Sequence, residues 1–410
     1  LNSIYLVVGV SILVTILGVL TAWLVTFFNF YGKGFFQWAL ILPLAVPPYL
    51  LAYVFTEFFD FSGTANSILR DLFSTQSDVI FFPNIRTIIG AIMVFGFTLY
   101  PYVYMVSRVA FMNIPASVIE ASSLLGKNSI STFFSLSIPL IRPAIIAGVA
   151  LVAMETLADF GAVQHFAIPT FTTGIFRTWT GLYDLNTALQ LSTMLLLVIF
   201  IFLSVERASR SKIRYVNSVT TNNSYKPIQL MRLESAAAFL ICFIPVFIGF
   251  FLPVLELINW SSQVDTLVSS KIFLAASNTL YISLSAAVLT CFIALLINFT
   301  VRSFGISQLL NDLLSLGYAV PGLILAVGIT KMFTSIDMWL INYGTFITGS
   351  ILGLILAYII KSYAISNIVL NSALNSIPIA LDESAQTLGT SKLKLLKDIH
   401  VPLLKTGLLT

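Results

Sequence analysis

The sequence predicts an all-α polytopic membrane protein, and three observations carry that expectation. Of 410 residues, 58% are hydrophobic and only 9% are charged, whereas a soluble domain carries about 25% charged residues. Apolar segments of the roughly 20 residues needed to cross a bilayer recur along the whole chain. One patterned stretch then occurs twice in the same direction, which makes the chain a duplication. With a mean hydropathy of +0.97 there are too few polar side chains to cover a soluble globule of 45.0 kDa. Disorder, nucleic-acid binding and an ordinary cytosolic enzyme are excluded on these grounds.

The spans follow in order. Segments 4–28, 35–58, 87–110, 140–160, 187–205, 236–258, 275–300, 309–333 and 346–366 are long and apolar enough, and a tenth opens at Pro402. A β-barrel would instead show alternating segments of about ten residues. The formal net charge of +4 matters less than its placement. Connector 206–235 holds Arg207, Arg210, Lys212, Arg214, Lys226 and Arg232 against Glu206 and Glu234, so the positive-inside rule puts it in the cytoplasm. Counting crossings outward places 29–34, 111–139, 301–308 and 367–401 on the same side. The opposite loops hold Asp60, Asp71, Asp78, Asp184, Asp265 and Asp337. The aromatic run Phe27, Phe28, Phe30, Tyr31, Phe35 and Phe36 reads as an interfacial belt.

Catalytic chemistry is sparse. Cys242 and Cys291 lie within apolar runs and read as small buried hydrophobes. His165 and His400 are the only histidines, too far apart in sequence for a ligand cluster, and no Gly-x-x-x-x-Gly-Lys-Ser/Thr phosphate loop occurs. ATP hydrolysis by that route is not encoded.

The repeat is the most informative feature. PASVIEASSLLGKNSISTFFSLSIPL, starting at Pro115, recurs as PIALDESAQTLGTSKLKLLKDIHVPL, starting at Pro378, an offset of 263 residues without a gap. It pairs Glu120 with Glu383, Gly126 with Gly389 and Pro139 with Pro402. Upstream, Ala45-Val46-Pro47 matches Ala319-Val320-Pro321, and Asn2-Ser3-Ile4-Tyr5 is similar to Asn278-Thr279-Leu280-Tyr281. Each copy reads as a short helix, a turn and a second short helix. Proline suits a first helical turn, and glycine eleven residues later suits a left-handed helix end. Asn128-Ser129 and Thr390-Ser391 can cap the next helix, and the closing proline begins a span. Two such helices on a cytoplasmic loop suggest a docking surface for another protein.

Glu120-Ala121-Ser122 and Glu383-Ser384-Ala385, each followed by Leu-Gly and then Ile/Val-x-Pro-Leu, resemble the EAA loop of ABC importer permeases. LPLAVPPYLLAY at 42–53, YPYVYMVSRVAF at 100–111, the stretch 139–176 with METLADFGAV, and YAVPGLILAVG at 318–328 resemble the ferric-iron branch of that family. The resemblance covers nearly the whole chain, and fused thiamine permeases look similar, so either substrate stays open. It implies two tandem MetI-like permease units, 1–205 and 236–410, joined by the basic connector 206–235. Copy two has a span ahead of its Asn278 region and copy one has two spans after its loop. The symmetry therefore implies a longer protein of about twelve spans, cut at both ends here. The implied setting is a bacterial inner membrane, with a periplasmic substrate-binding protein, a cytoplasmic ABC ATPase dimer and no nucleic acid. The chain itself would bind no cofactor, ATP and magnesium being used by the ATPase. Its coupling residues would be Pro115, Glu120, Ala121, Gly126 and Pro139, with Pro378, Glu383, Ala385, Gly389 and Pro402.

Charges inside spans mark candidate pathways. Glu155 and Asp159 lie four apart, hence on one face if both are helical, and a pair of carboxylates offers the hard oxygens a small cation such as Fe3+ prefers. The alternative is that both sit at the outer membrane edge. Lys331, Lys361 and Asp312 are expected to snorkel to the interface. A secondary transporter is the rival class, but it leaves the duplicated loops without a purpose.

Overall fold

The computed structural model describes residues 1–73, 82, 84–211, 227–262, 270–304, 311, 314–315, 317, 320–340, 346–375, 377 and 379–404. Asp312, Pro378 and the centre of the basic connector lie outside them. Packing divides the chain into two units, Leu1–Leu182 with Gln190–Asp265, and Tyr183–Leu189 with Thr266–Thr410. Among the described residues seven helices are long and apolar enough to span a bilayer, or eight if a bent pair forms one span.

In the first unit α1 (Asn2–Phe27) is apolar on every side. Leu6, Val10 and Val14 are buried, while Ile4, Val8, Ile12 and Ile16 form an exposed row one turn apart. Water would penalise that row; lipid does not. The chain continues through α2 (Lys33–Ala39), α3 (Pro48–Phe59) and α4 (Thr64–Phe73) to α5 (Ile88–Met112). Next come α6 (Ala116–Leu124), α7 (Ser129–Ala158), α8 (Gly161–His165), α9 (Phe171–Phe176), α10 (Leu185–Ser211, of which the part from Gln190 belongs to this unit) and α11 (Arg232–Ser262). The centre of this unit is α5, with Tyr100 and Tyr104 fully buried. A Cβ on Gly18 of α1 would stand 2.9 Å from the Tyr104 amide nitrogen. The missing side chain lets the two backbones approach, as small residues do between membrane helices.

In the second unit α12 (Ser270–Phe304) packs on α14 (Ile351–Asn375), with α13 (Gly322–Leu340) also against α14. The second loop is α15 (Ile379–Thr387) followed by α16, residues 392–403.

Four expectations need correcting. The span expected over 35–58 is not one helix: α2 runs on through a 3-10 turn at Leu42–Ala45, Val46 before Pro47 is extended, and the segments Lys33–Ala45 and Pro48–Phe73 meet at 89°. Proline removes the amide donor and forces the preceding residue out of the helical region. The span expected over 309–333 is also interrupted at a proline: residues 311, 314–315 and 317 are helical, and a further helix starts at Gly322, directly after Pro321 in the matching Ala-Val-Pro motif. The belt reading fails for Phe27, Phe28, Phe30 and Phe36, which are at most 5% exposed. Phe36 packs edge-on against Phe239 of α11 at 5.1 Å, because residues 28–29 pair in parallel with 228–229 and bring α11 alongside. Finally, the second short helix of the first loop is not separate from the following span. It runs through a π turn, Phe133–Ser137, into that span as one helix.

Three π turns share a cause, while a fourth, Arg177–Gly181, precedes no proline. Phe133–Ser137, Phe247–Phe251 and Leu396–His400 each end two residues before a proline: Pro139, Pro253 and Pro402. A proline clashes with the carbonyl four residues earlier. The ladder widens instead, and the amides of Ile138, Leu252 and Val401 bond to the carbonyls of Phe133, Phe247 and Leu396 five residues back.

Candidate coupling site

The two loops adopt the same backbone. α6 and α15 each begin one residue after a loop proline and run nine residues. Both then reverse at a glycine in the left-handed region, with φ +77° at Gly126 and +78° at Gly389. The closing bonds also correspond: the Lys127 amide donates to the Ser122 carbonyl at 3.2 Å, and Thr390 to Ala385 at 3.0 Å. This is the six-to-one bond of a glycine-terminated helix end. The next helix is capped in both copies, by the Asn128 side chain at 2.7 Å from the Ser131 amide and by Ser391 at 3.5 Å from Lys394.

Sequence position decides which side chains face outward. Ala116, Ile119 and Ser122 are buried at helical spacing, and Asp382 and Ala385 repeat the last two of those positions. Glu120 and Glu383 are exposed, as are Ala121, Pro139 and Pro402. Leu125 is 81% and Leu388 85% exposed at the tips. The loop thus presents a carboxylate and a leucine outward while its inner face holds it to the spans. In the first copy the Ser122 and Thr132 hydroxyls, 2.9 Å apart, tie the two helices together.

The acidic pair is arranged differently from the expected single face. Glu155 is an exposed residue in the last turn of α7. Asp159 has left the helix, with extended backbone at ψ 139°. Its Oδ2 accepts from the amides of Ala162 at 3.0 Å and Val163 at 3.3 Å, and so caps α8. Among the described residues no group of three His, Cys, Asp or Glu side chains is placed to hold a metal ion.

The second unit contains polar groups that spacing alone did not reveal. Lys361 does not snorkel: its Nζ donates to the Val320 carbonyl at 2.7 Å, at the break before Pro321. Asn298 of α12 donates to Asn367 of α14 at 2.8 Å, Asn311 donates to Asn298 at 2.9 Å, and Tyr363 donates to Asn311. The available signal was three asparagines within apolar segments. At the second loop Arg302, Asp382 and His400 meet. Arg302 Nε stands 2.7 Å and His400 Nε2 2.8 Å from the two oxygens of Asp382. Burial pushes the Asp382 carboxyl up, but the hydrogen bonds and charge of Arg302 and His400 outweigh it and hold it below the usual carboxylate range.

Comparison with known proteins fits this geometry. Residues 14–215 match the family of binding-protein-dependent transport system inner membrane components. An Fe(3+)-transport system permease protein, FbpB 2 of Haemophilus influenzae, is 26% identical over 99% of this chain and 76% of its own length. A ferric transport system permease protein FbpB of Actinobacillus pleuropneumoniae is 27% identical over 100% of this chain and 61% of its own. The molybdenum transport system permease protein ModB of Escherichia coli K12 is 28% identical over only 36% of this chain. The chain is therefore a multi-pass inner-membrane protein that matches the binding-protein-dependent transport family over residues 14–215 and is similar along its whole length to ferric transport permeases.

Proposed function

We propose that this chain is the permease subunit of a ferric-iron importer. The observation that carries the substrate is the extent of similarity. Ferric permeases align over 99–100% of the chain, whereas molybdenum and sulfate permeases align over 36–38%. In this reading a periplasmic binding protein delivers Fe3+ and a separate ATPase dimer, using ATP and magnesium, drives alternating access.

Each part of the chain has a task. The Glu120 and Glu383 faces of α6 and α15 dock one ATPase subunit each on the cytoplasmic side, where the basic connector also lies. Gly126 and Gly389 fix the direction of each helix. Pro115, Pro378, Pro139 and Pro402 define where the loop leaves and rejoins the spans, and Ala121 and Ala385 flank the docking carboxylates. Glu155 supplies an oxygen ligand on the outer side of the path, and Asp159 fixes the backbone beside it.

The test is the ligand of the cognate binding protein. The binding protein loaded with Fe3+ is expected to stimulate ATP hydrolysis by the reconstituted complex. Stimulation by a thiamine-loaded protein, with none from the ferric form, would replace the substrate while leaving the transport class intact.

A further inference from the structure

The two loops share a backbone but are fastened by different chemistry. In the first copy the fastening is apolar. Ile119, Phe111 and Phe133 are buried, Trp23 lies 4.5 Å from Phe133, and Phe27 meets Phe111 edge-on at 5.5 Å. The 263-residue offset replaces Ile119 by Asp382 and Ser137 by His400. The offset of 276 that pairs Asn2 with Asn278 places Arg302 where the first copy has Thr26.

In the second copy one guanidinium reaches three elements. From the last turn of α12, Arg302 Nε donates to Asp382 in the first turn of α15 at 2.7 Å. Its Nη2 donates to the Ile377 carbonyl at 2.9 Å, and its Nη1 to the Leu374 carbonyl at the end of α14. The other Asp382 oxygen accepts from His400 in α16 at 2.8 Å. Lys392, also in α16, donates to the Ser303 carbonyl of α12 at 2.8 Å. Stability alone does not account for this choice, since a buried ion pair carries a desolvation cost that apolar packing avoids. The first copy shows that apolar packing suffices to seat a loop. What the planar fork adds is direction, because its donors lie at fixed angles to one another.

We propose that Arg302 is a positioning residue for energy coupling. It fastens α15 and the end of α14 to the end of α12, so that movement of the second loop is passed to both spans together. The proposal rests on α15 being a coupling helix.

The experiment uses the full complex of permease, ATPase and binding protein loaded with Fe3+. Arg302→Met is expected to retain ATPase co-purification and the half-saturating concentration of binding protein. The ratio of stimulated to unstimulated hydrolysis should fall about fivefold or more. The double variant Arg302→Met with Asp382→Leu removes both charges and should recover thermal stability, but not that ratio. Arg302→Lys, with a point charge in place of a fork, should give an intermediate ratio. A normal ratio in Arg302→Met, or full recovery of the ratio in the apolar double variant, overturns the proposal. If Arg302→Met does not reach the membrane, a normal ratio in Arg302→Lys overturns it equally. The paired variant Gly126→Val with Gly389→Val separates the two levels. A normal ratio there removes the coupling reading and Arg302's role with it. An uncoupled glycine pair beside a normal Arg302→Met removes only the role of Arg302.

Discussion

Gly126 and Gly389 hold nearly the same positive φ, and neither has an atom within 4 Å of where a Cβ would project. Space is therefore not the constraint; backbone conformation is. Valine at either site should cost about 1–2 kcal/mol in the left-handed region and re-aim the helix before it. Single substitutions are expected to weaken iron-stimulated hydrolysis and the pair to abolish it, with the protein still in the membrane. Asp159 and Glu155 separate in the same manner. Removing the cap with Asp159→Ala should lower thermal stability by about 1 kcal/mol, whereas Glu155→Gln should reduce uptake without changing stability. Unchanged uptake in Glu155→Gln would remove it from the path. Asp382 carries a pH signature. Its folded pKa lies below the ordinary carboxylate value of 3.8, so its contribution is complete above that pH and is lost as pH falls through the folded value. Stability of the second unit should fall in strong acid, and Asp382→Asn should flatten that fall.

At the scale of elements, each of the three π turns that precede a proline adds a residue to its helix. One extra residue rotates everything beyond it by about 100°. Pro139→Ala restores the amide donor and allows a regular ladder, so it should preserve or raise thermal stability. It should nevertheless uncouple transport, because α6 would be turned relative to the span. Normal stimulation in a stable Pro139→Ala protein would show that this register does not matter. The elements also show how far the sequence could be read. Composition and length located α1, α5, α7, α11, α12 and α14, because an apolar run of that length has few other uses. The glycine turns and both caps were legible because the required backbone has few suitable residue types. The breaks at Pro47 and Pro321 were written in the sequence but were outweighed by the apolar residues around them. Hydropathy sums a window, while a single proline decides a helix.

At the scale of the molecule, what sequence could not show were contacts between distant segments. Arg302, Asp382 and His400 are 18 to 98 positions apart, and Asn298, Asn311 and Asn367 are similarly dispersed. No spacing rule joins them until α12, α14 and the second loop pack. The orientation of the loops follows from charge placement and is open to direct test. Cysteines placed at Leu124 and Leu388, 89% and 85% exposed, should react with an impermeant thiol reagent only from the cytoplasmic side. Labelling of either from the periplasm in sealed cells would reverse the topology and withdraw both loops from the ATPase. The most direct measurement is iron uptake into proteoliposomes holding the permease and its ATPase, with ATP inside or an imposed ion gradient as the energy source. Uptake of radiolabelled Fe3+ that requires ATP and the loaded binding protein, and ignores the gradient, is the expected result. Uptake driven by the gradient without ATP would contradict it and make the chain a secondary transporter.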